Sequence, residues 1–270
     1  MSNAFKKTAK YSIFFFFACL ALLNTAYAQL LIGPKLGAQL SWVNFEDDID
    51  FINSQPVIGY NGGFMLAFKV GERYFLQSEF IYSRKGKKYE GETDPLLDYQ
   101  VVQHHFDLPI IYRVDFKGSI GQGKSFRYYV GIGPNISYWW RANGTIRSSE
   151  LEEEGIFEVD FDFVFDDVDN PSIEELVVED PNRIMLGVNF AVGVVLEPQP
   201  GRSLIIDLKY EMGHSFFSDD QQPVRFQQLL DFADPLRARN NGIRLGVAYV
   251  LDTKIAERKK GKTTRKRRER

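Results

Sequence analysis

The chain has 270 residues, a formal net charge of −3, 14% aromatic residues and one cysteine. Past the first 28 residues there is no cysteine, which excludes disulfides and thiol chemistry, and no apolar run long enough for a membrane helix. The near balance of charge hides two opposed segments: residues 148–180 carry fourteen Asp or Glu and no Lys or Arg, and residues 254–270 carry ten Lys or Arg and two Glu.

The chain opens with Lys6, Lys7 and Lys10, continues through an apolar run from Ile13 to Leu23, and reaches Ala26-Tyr27-Ala28 before Gln29. That order is a secretory signal peptide over residues 1–28, cleaved after Ala28. The run is too short to anchor the chain as a spanning helix. What remains is enough for one domain with a full core or for one closed barrel.

Eight runs of apolar and polar alternation follow, and a period of two is a strand. The first is Ile32 to Val43. The second and third, within Gly59 to Lys85, form a hairpin about the turn Gly71-Glu72. The fourth runs from Val101 to Phe116, the fifth from Ser125 to Arg141, the sixth from Arg183 to Leu196, the seventh from Ser203 to His214 and the eighth from Gly242 to Asp252. Connections after the second, fourth and sixth are short, and those after the first, third, fifth and seventh are long. Short turns on one side and long loops on the other are the layout of an outer-membrane barrel. The expectation is an all-β fold: an eight-stranded antiparallel up-and-down transmembrane β-barrel over residues 29–253 with long extracellular loops, residues 142–182 being a long acidic one.

A soluble eight-stranded barrel would reverse the two faces. Glycines 37, 63, 131, 133, 187, 193, 213 and 246 all fall on the polar face, where a narrow lumen needs small residues. Aromatic residues gather near both strand ends, with Trp42, Tyr60, Tyr82, Tyr138 and Trp140 toward the long loops and Phe68, Tyr74, Tyr112, Phe116, Phe126 and Tyr249 toward the short turns. Two such girdles are what a bilayer selects. Together they place the apolar face in outer-membrane lipid and the polar face inside.

The start LLIGPKLGAQLSWV, the hairpin GYNGGFMLAFKVGERYFLQSEFIYSRKGKKY, the strand HHFDLPIIYRV and the strand FRYYVGIGPNISYWW resemble the PorT-type outer-membrane β-barrel family of Bacteroidota. The resemblance covers nearly the whole chain after the leader. It implies a non-enzymatic barrel, some of whose relatives serve type IX secretion. The long acidic loop and the basic tail depart from the family's compact pattern.

On the polar face the charged residues are Lys35, Lys69, Glu79, Lys85, Asp107, Arg113, Asp115, Arg127, Asp207, Lys209, Glu211 and Arg244, with acids and bases nearly balanced. An eight-stranded barrel is just wide enough for its side chains, so these are expected to pair across the bore. A proton or ion path is the other reading. A hydrolase built on Glu79, Asp107 or Glu211 with His105 or His214 finds no convergent nucleophile, base and orienter. His104 and His105 are adjacent on a strand, face opposite ways and cannot chelate one metal.

In the acidic loop Phe157 to Phe165 alternates again and reads as an extra extracellular strand. Asp160, Asp162, Asp166, Asp167 and Asp169 offer oxygen ligands for a cation such as Ca²⁺, yet lack the glycine turn and closing glutamate of a calcium loop, which favours a solvated acidic surface. Pro223 to Phe232 reads as a short helical cap. The basic tail, residues 254–270, is expected in the periplasm, either disordered or touching an anionic periplasmic partner. Nucleic acid is not expected as a partner, because a secreted chain does not meet it. No cofactor is implied. Two functions remain: a structural or interaction component of a cell-surface or secretion assembly, with protein partners there, and a small transport or lumen-gated protein.

Overall fold

The computed structural model describes residues 30–46, 52–92, 94–120, 124–165, 172, 174–178, 180–218, 224–225 and 233–253. The leader and the basic tail lie outside these residues, as do Asp166, Asp167 and Asp169. The strands are β1 (Leu30–Phe45), β2 (Ile52–Gln55), β3 (Val57–Lys69), β4 (Tyr74–Gly91), β5 (Asp98–Ile120), β6 (Lys124–Arg147), β7 (Val159–Val164), β8 (Glu175–Val177), β9 (Ile184–Gln199), β10 (Arg202–Phe216), β11 (Val224–Arg225), β12 (Ala233–Asp234) and β13 (Ala238–Asp252). A five-residue helix, α1 (Ser149–Glu153), follows β6.

Eight of these strands close on themselves. β1, β3, β4, β5, β6, β9, β10 and β13 pair antiparallel in that order, and β13 pairs back to β1 from Leu31↔Asp252 to Phe45↔Ala238. Closure leaves the ring without an unpaired edge, which is the condition for a sheet to cross lipid. The turns at one end are tight. Val70 and Gly71 both donate to the Tyr74 carbonyl, and the β9–β10 turn carries Gly201 at φ 82°, a left-handed conformation that glycine adopts without cost.

Around the ring the outward side chains are large and apolar, among them Leu36, Phe64, Phe80, Leu108, Ile132, Val192, Leu208 and Leu245, all exposed. An apolar belt of that size in water would drive aggregation, whereas in lipid it is matched. Aromatic residues mark its two edges. Tyr74 stacks on Tyr112 and Phe116 on Tyr128 at the short-turn edge, and Tyr60, Tyr82, Phe106 and Trp140 neighbour one another at the opposite edge. Among the described residues no helix is long and apolar enough to cross a membrane; the strands do so.

Beyond that second edge the strands continue. On β4 the outward residues become Lys88 and Glu90, and on β5 Gln100 and Asp98, so this part of the wall stands in water above the bilayer. β7 pairs with β6 there, β8 runs parallel to β7, and α1 is capped by the Ser148 hydroxyl, which accepts from the Leu151 N–H at 3.3 Å. The expected extra strand in the acidic loop is therefore β7. The connection between the third and fourth runs is largely wall extension, through β4 to Gly91 and β5 from Asp98.

Two expectations are corrected. Arg141, which the alternation of the fifth run sets on the polar face with Arg127 and Ser137, does not face the lumen: β6 carries one more residue than β5 between the pairs His105↔Trp139 and His104↔Arg141. That bulge turns both Trp140 and Arg141 outward and leaves Trp139 fully buried inside. The cap expected as a helix from Pro223 has its two described residues, Val224 and Arg225, in β11 instead, paired with β12. The other residues of that segment lie outside the described ones.

Candidate functional site

Inward side chains fill the barrel in three storeys. At the short-turn end Leu31, Met65, Phe75, Ile111, Tyr129 and Val250 form a buried apolar layer. Above it lie the charges. At the outer end Tyr89, Tyr99, Trp139, Phe161, Phe163 and Phe217 make a second apolar layer that continues under β7 and β8.

The charged storey consists of two neutral quartets. In the lower one Lys35 Nζ lies 3.0 Å from Glu79 Oε1 and also pairs with Asp207, while Lys209 pairs with Glu79. Gln77 Nε2 donates to Glu79 at 2.6 Å and the Tyr129 hydroxyl to Asp207 at 3.0 Å. In the upper one Lys85 Nζ is 3.2 Å from Asp107 and 2.7 Å from Glu211, and Arg244 Nη2 donates to Asp107 at 2.6 Å and to Glu211 as well. Ser83, Ser137 and Asn135 supply further donors to the same two carboxylates. Every one of these eight charged side chains is buried. Buried ions are tolerated only when paired and hydrogen-bonded, and the quartets meet that demand from five different strands, with neutral donors from β6 as a sixth.

Small residues make the room. A Cβ on Gly246 would lie 2.6 Å from Asp207 Oδ1 and 2.6 Å from Lys35 Cε, so the lower quartet occupies space that only glycine leaves. Arg113 joins the apolar layer below: its guanidinium sits 4.7 Å from the Phe75 ring centre and 4.5 Å from that of Tyr129, and it donates to Asp115 at 3.1 Å and to Gln77 at 2.8 Å. Lys69 and Arg127 belong to the rim. Both are half-exposed near the short turns, where Arg127 reaches Asp115 and Glu197. The strand alternation gives their side, but they stand too close to the strand ends to be enclosed.

A further ion pair was not singled out by the alternation. Lys87 and Asp234 meet inside the outer apolar layer, with Nζ 2.6 Å from Oδ1, and the Tyr99 hydroxyl donates to Asp234 Oδ2 at 2.6 Å. Lys87 Nζ lies 5.4 to 5.9 Å from the ring centres of Tyr89, Tyr99, Phe163 and Phe217. Burial in this aromatic box pulls the Lys87 ammonium below its ordinary pKa, while the Asp234 carboxylate pushes the other way. Lys87 shares the parity of Lys85 and lies beyond the outer girdle, which was the one signal in the sequence. Asp234 comes from the loop before β13, and nothing local announces it.

The histidines separate as their positions demand. His105 points inward and its Nδ1 is 3.0 Å from the Ser137 hydroxyl, His104 points outward beside Tyr82, and His214 is exposed. Asp160 and Asp162 face outward on β7, exposed, and Asp162 lies 3.7 Å from Arg141. Among the described residues no three His, Cys, Asp or Glu stand together as a metal centre.

A closed eight-stranded ring with a lipid-matched outer face, two aromatic edges and a filled polar interior defines a transmembrane β-barrel of the outer-membrane class. Residues 24–216 match the family described as outer membrane protein beta-barrel domain, and the chain belongs to that family. Its place is the outer membrane, in contact with lipid. Solved structures similar in fold include OprG from Pseudomonas aeruginosa, 10% identical with a TM-score of 0.40, covering 83% of this chain and 93% of that one. Neisserial surface protein A is 10% identical with a TM-score of 0.37, covering 83% and 96%, and Ail of Yersinia pestis is 11% identical with a TM-score of 0.34, covering 82% and 98%. A comparison with curated protein sequences finds no match.

Proposed function

We propose that the protein is a non-enzymatic, closed barrel that serves as a structural or interaction component of a cell-surface or type IX secretion assembly, of the PorT type found in Bacteroidota. In this reading it reaches the outer membrane after cleavage of residues 1–28, and the basic tail lies in the periplasm. The observation that carries it is the filled bore. Two neutral charge quartets sit between two apolar layers, and opening a path through them would strand several buried ions. With the bore closed, partner contacts fall to the cap above the membrane and to the tail below it.

Reconstitution in planar bilayers tests the closed bore. The expected result is no stable conductance; steady channels would replace this reading with the second one. Pull-down of the native complex from outer membranes tests the assembly role, and a barrel recovered without protein partners would remove it.

A lumen-gated transporter is the second reading, and one feature favours it. Among the described residues several buried polar atoms in the bore, on His105, Asn135 and Asn240, have no protein hydrogen-bond partner. Beside the upper quartet a cavity of about 10 Å³, lined by Lys85, His105, Asn135 and Glu211, is at the lower edge of what one water needs. Unpaired polar groups next to a void are where a wetted path would begin.

A further inference from the structure

The outer edge of the membrane belt carries two arginines flanking a histidine in cross-strand register. Arg84 on β4 is paired with His104 on β5, and His104 with Arg141 on β6. Directly opposite side chains on neighbouring strands have Cβ atoms roughly 5 Å apart, so the imidazole fills the space between the two guanidinium groups. The row immediately toward the bilayer is aromatic: Tyr82 pairs with Phe106 and Phe106 with Tyr138. Aromatic rows of that kind sit at head-group level.

Of the two guanidinium groups only that of Arg141 meets a carboxylate among the described residues. Among the described residues Arg84 makes no ion pair and reaches only the Ile58 carbonyl, at 3.5 Å. Arg141 has one exposed contact, 3.7 Å from Asp162. Next along the ring Arg183 extends the row, with Nη2 donating to the Tyr138 hydroxyl at 3.1 Å and to the Trp140 carbonyl at 2.9 Å. Above the row opens a groove of about 650 Å³ whose lining includes Gln100, Arg141, Asn143, Thr145, Asp160 and Asp162.

We propose that this face binds the phosphorylated saccharide head group of an outer-leaflet glycolipid, with a phosphate on the row Arg84, His104 and Arg141 and the sugar in the groove above. Charge complementarity selects the phosphate, because guanidinium groups match its oxygens in paired hydrogen bonds. Depth selects a lipid, because the row stands one pair beyond the aromatic edge, where the head groups of a lipid beside the barrel must lie. The amides of Gln100 and Asn143 and the carboxylates of Asp160 and Asp162 are donors and acceptors for sugar hydroxyls. Their negative charge also directs the phosphate toward Arg84 and away from β7. The proposal is independent of whether the bore conducts.

The test uses the full chain folded in phosphatidylcholine nanodiscs that contain diphosphoryl lipid A or its enzymatically dephosphorylated form, with retained glycolipid read by native mass spectrometry. Wild type is expected to retain the diphosphoryl form at least tenfold better, with the excess lost as salt is raised. Equal retention of both forms overturns the proposal without recourse to any variant. R84Q/R141Q is expected to abolish the preference, and R202Q at the short-turn end to leave it intact; an unchanged preference in the double variant overturns the assignment to this row. Glucosamine 1-phosphate added in solution is expected not to compete. Full displacement by it would mean a soluble phosphosugar site and would sink the lipid reading.

Discussion

Lys87 on β4 and Asp234 on β12 meet with Nζ 2.6 Å from Oδ1, both fully buried, although 147 positions separate them in the chain. Through that contact the loop before β13 is held in the outer mouth of the barrel, against the layer that contains Phe163 and Phe217. Removing one partner of a buried pair is costly because it leaves the other charge unmatched in a dry setting.

Lys87→Met is therefore expected to destabilise the folded barrel by about 3 to 5 kcal/mol. The check is urea unfolding in lipid vesicles. Adding Asp234→Leu to Lys87→Met is expected to recover most of the loss, because it removes the stranded carboxylate. A single variant as stable as wild type would mean that water reaches Asp234.

The upper quartet makes a parallel prediction inside the membrane. Arg244 bridges Asp107 and Glu211, and its loss leaves Lys85 alone with two carboxylates. Arg244→Leu is expected to cost about 3 to 5 kcal/mol. Arg113→Leu is expected to behave likewise, since its guanidinium lies between the Phe75 and Tyr129 rings and holds Asp115. Unchanged urea midpoints for both variants would mean that these side chains are solvated.

How much of this was legible follows from where alternation carries information. From Ile32 to Trp42, or from Phe106 to Phe116, one face meets lipid and the other the lumen, so the period of two is enforced by opposite solvents and the eight membrane strands can be read directly. Above the girdle both faces of the wall differ less. There Lys88 and Glu90 look like loop residues, and the alternation stops at Lys85 although the strand continues to Gly91. A single bulge then reverses the parity of β6 between Trp139 and Arg141, which no periodicity can reveal in advance. The partners within the quartets depend on register across the bore. Lys35 and Asp207 are brought together by β13 lying between β1 and β10, with Gly246 beside both.

Gly246 gives a prediction of the opposite kind, in which volume is added. Gly246→Val would place its Cβ 2.6 Å from Asp207 Oδ1 and Lys35 Cε, so the pair must shift or separate. Overpacking of a filled interior costs about 1 to 3 kcal/mol. The expected outcome is a lower urea midpoint with the heat-modifiable gel mobility of a closed barrel preserved. An unaltered midpoint would show that the lower quartet has slack.

The last prediction concerns pH and the cap. Asp94 lies in the connection between β4 and β5, outside the membrane, and accepts at 3.0 Å from the Ser149 N–H, at 2.5 Å from the Ser149 hydroxyl and at 3.0 Å from the Leu96 N–H. Partial burial raises its pKa, but the hydrogen bonds from Ser149 and Leu96 outweigh that and hold the carboxyl below its ordinary value. A folded pKa below the unfolded one means that the unfolded chain binds more protons, so this contribution to stability is present above the ordinary carboxylate range and is lost as pH falls through the depressed pKa. The contact ties α1 to the β4–β5 connection, so acid is expected to loosen the cap before it affects the barrel. Amide hydrogen exchange of Leu151 and Ser149, corrected for the intrinsic pH dependence of exchange, should show protection falling at acid pH in wild type. In Asp94→Asn protection should be weaker at neutral pH and its residual pH dependence smaller. If the variant retains wild-type protection across the same pH range, Asp94 does not hold the cap.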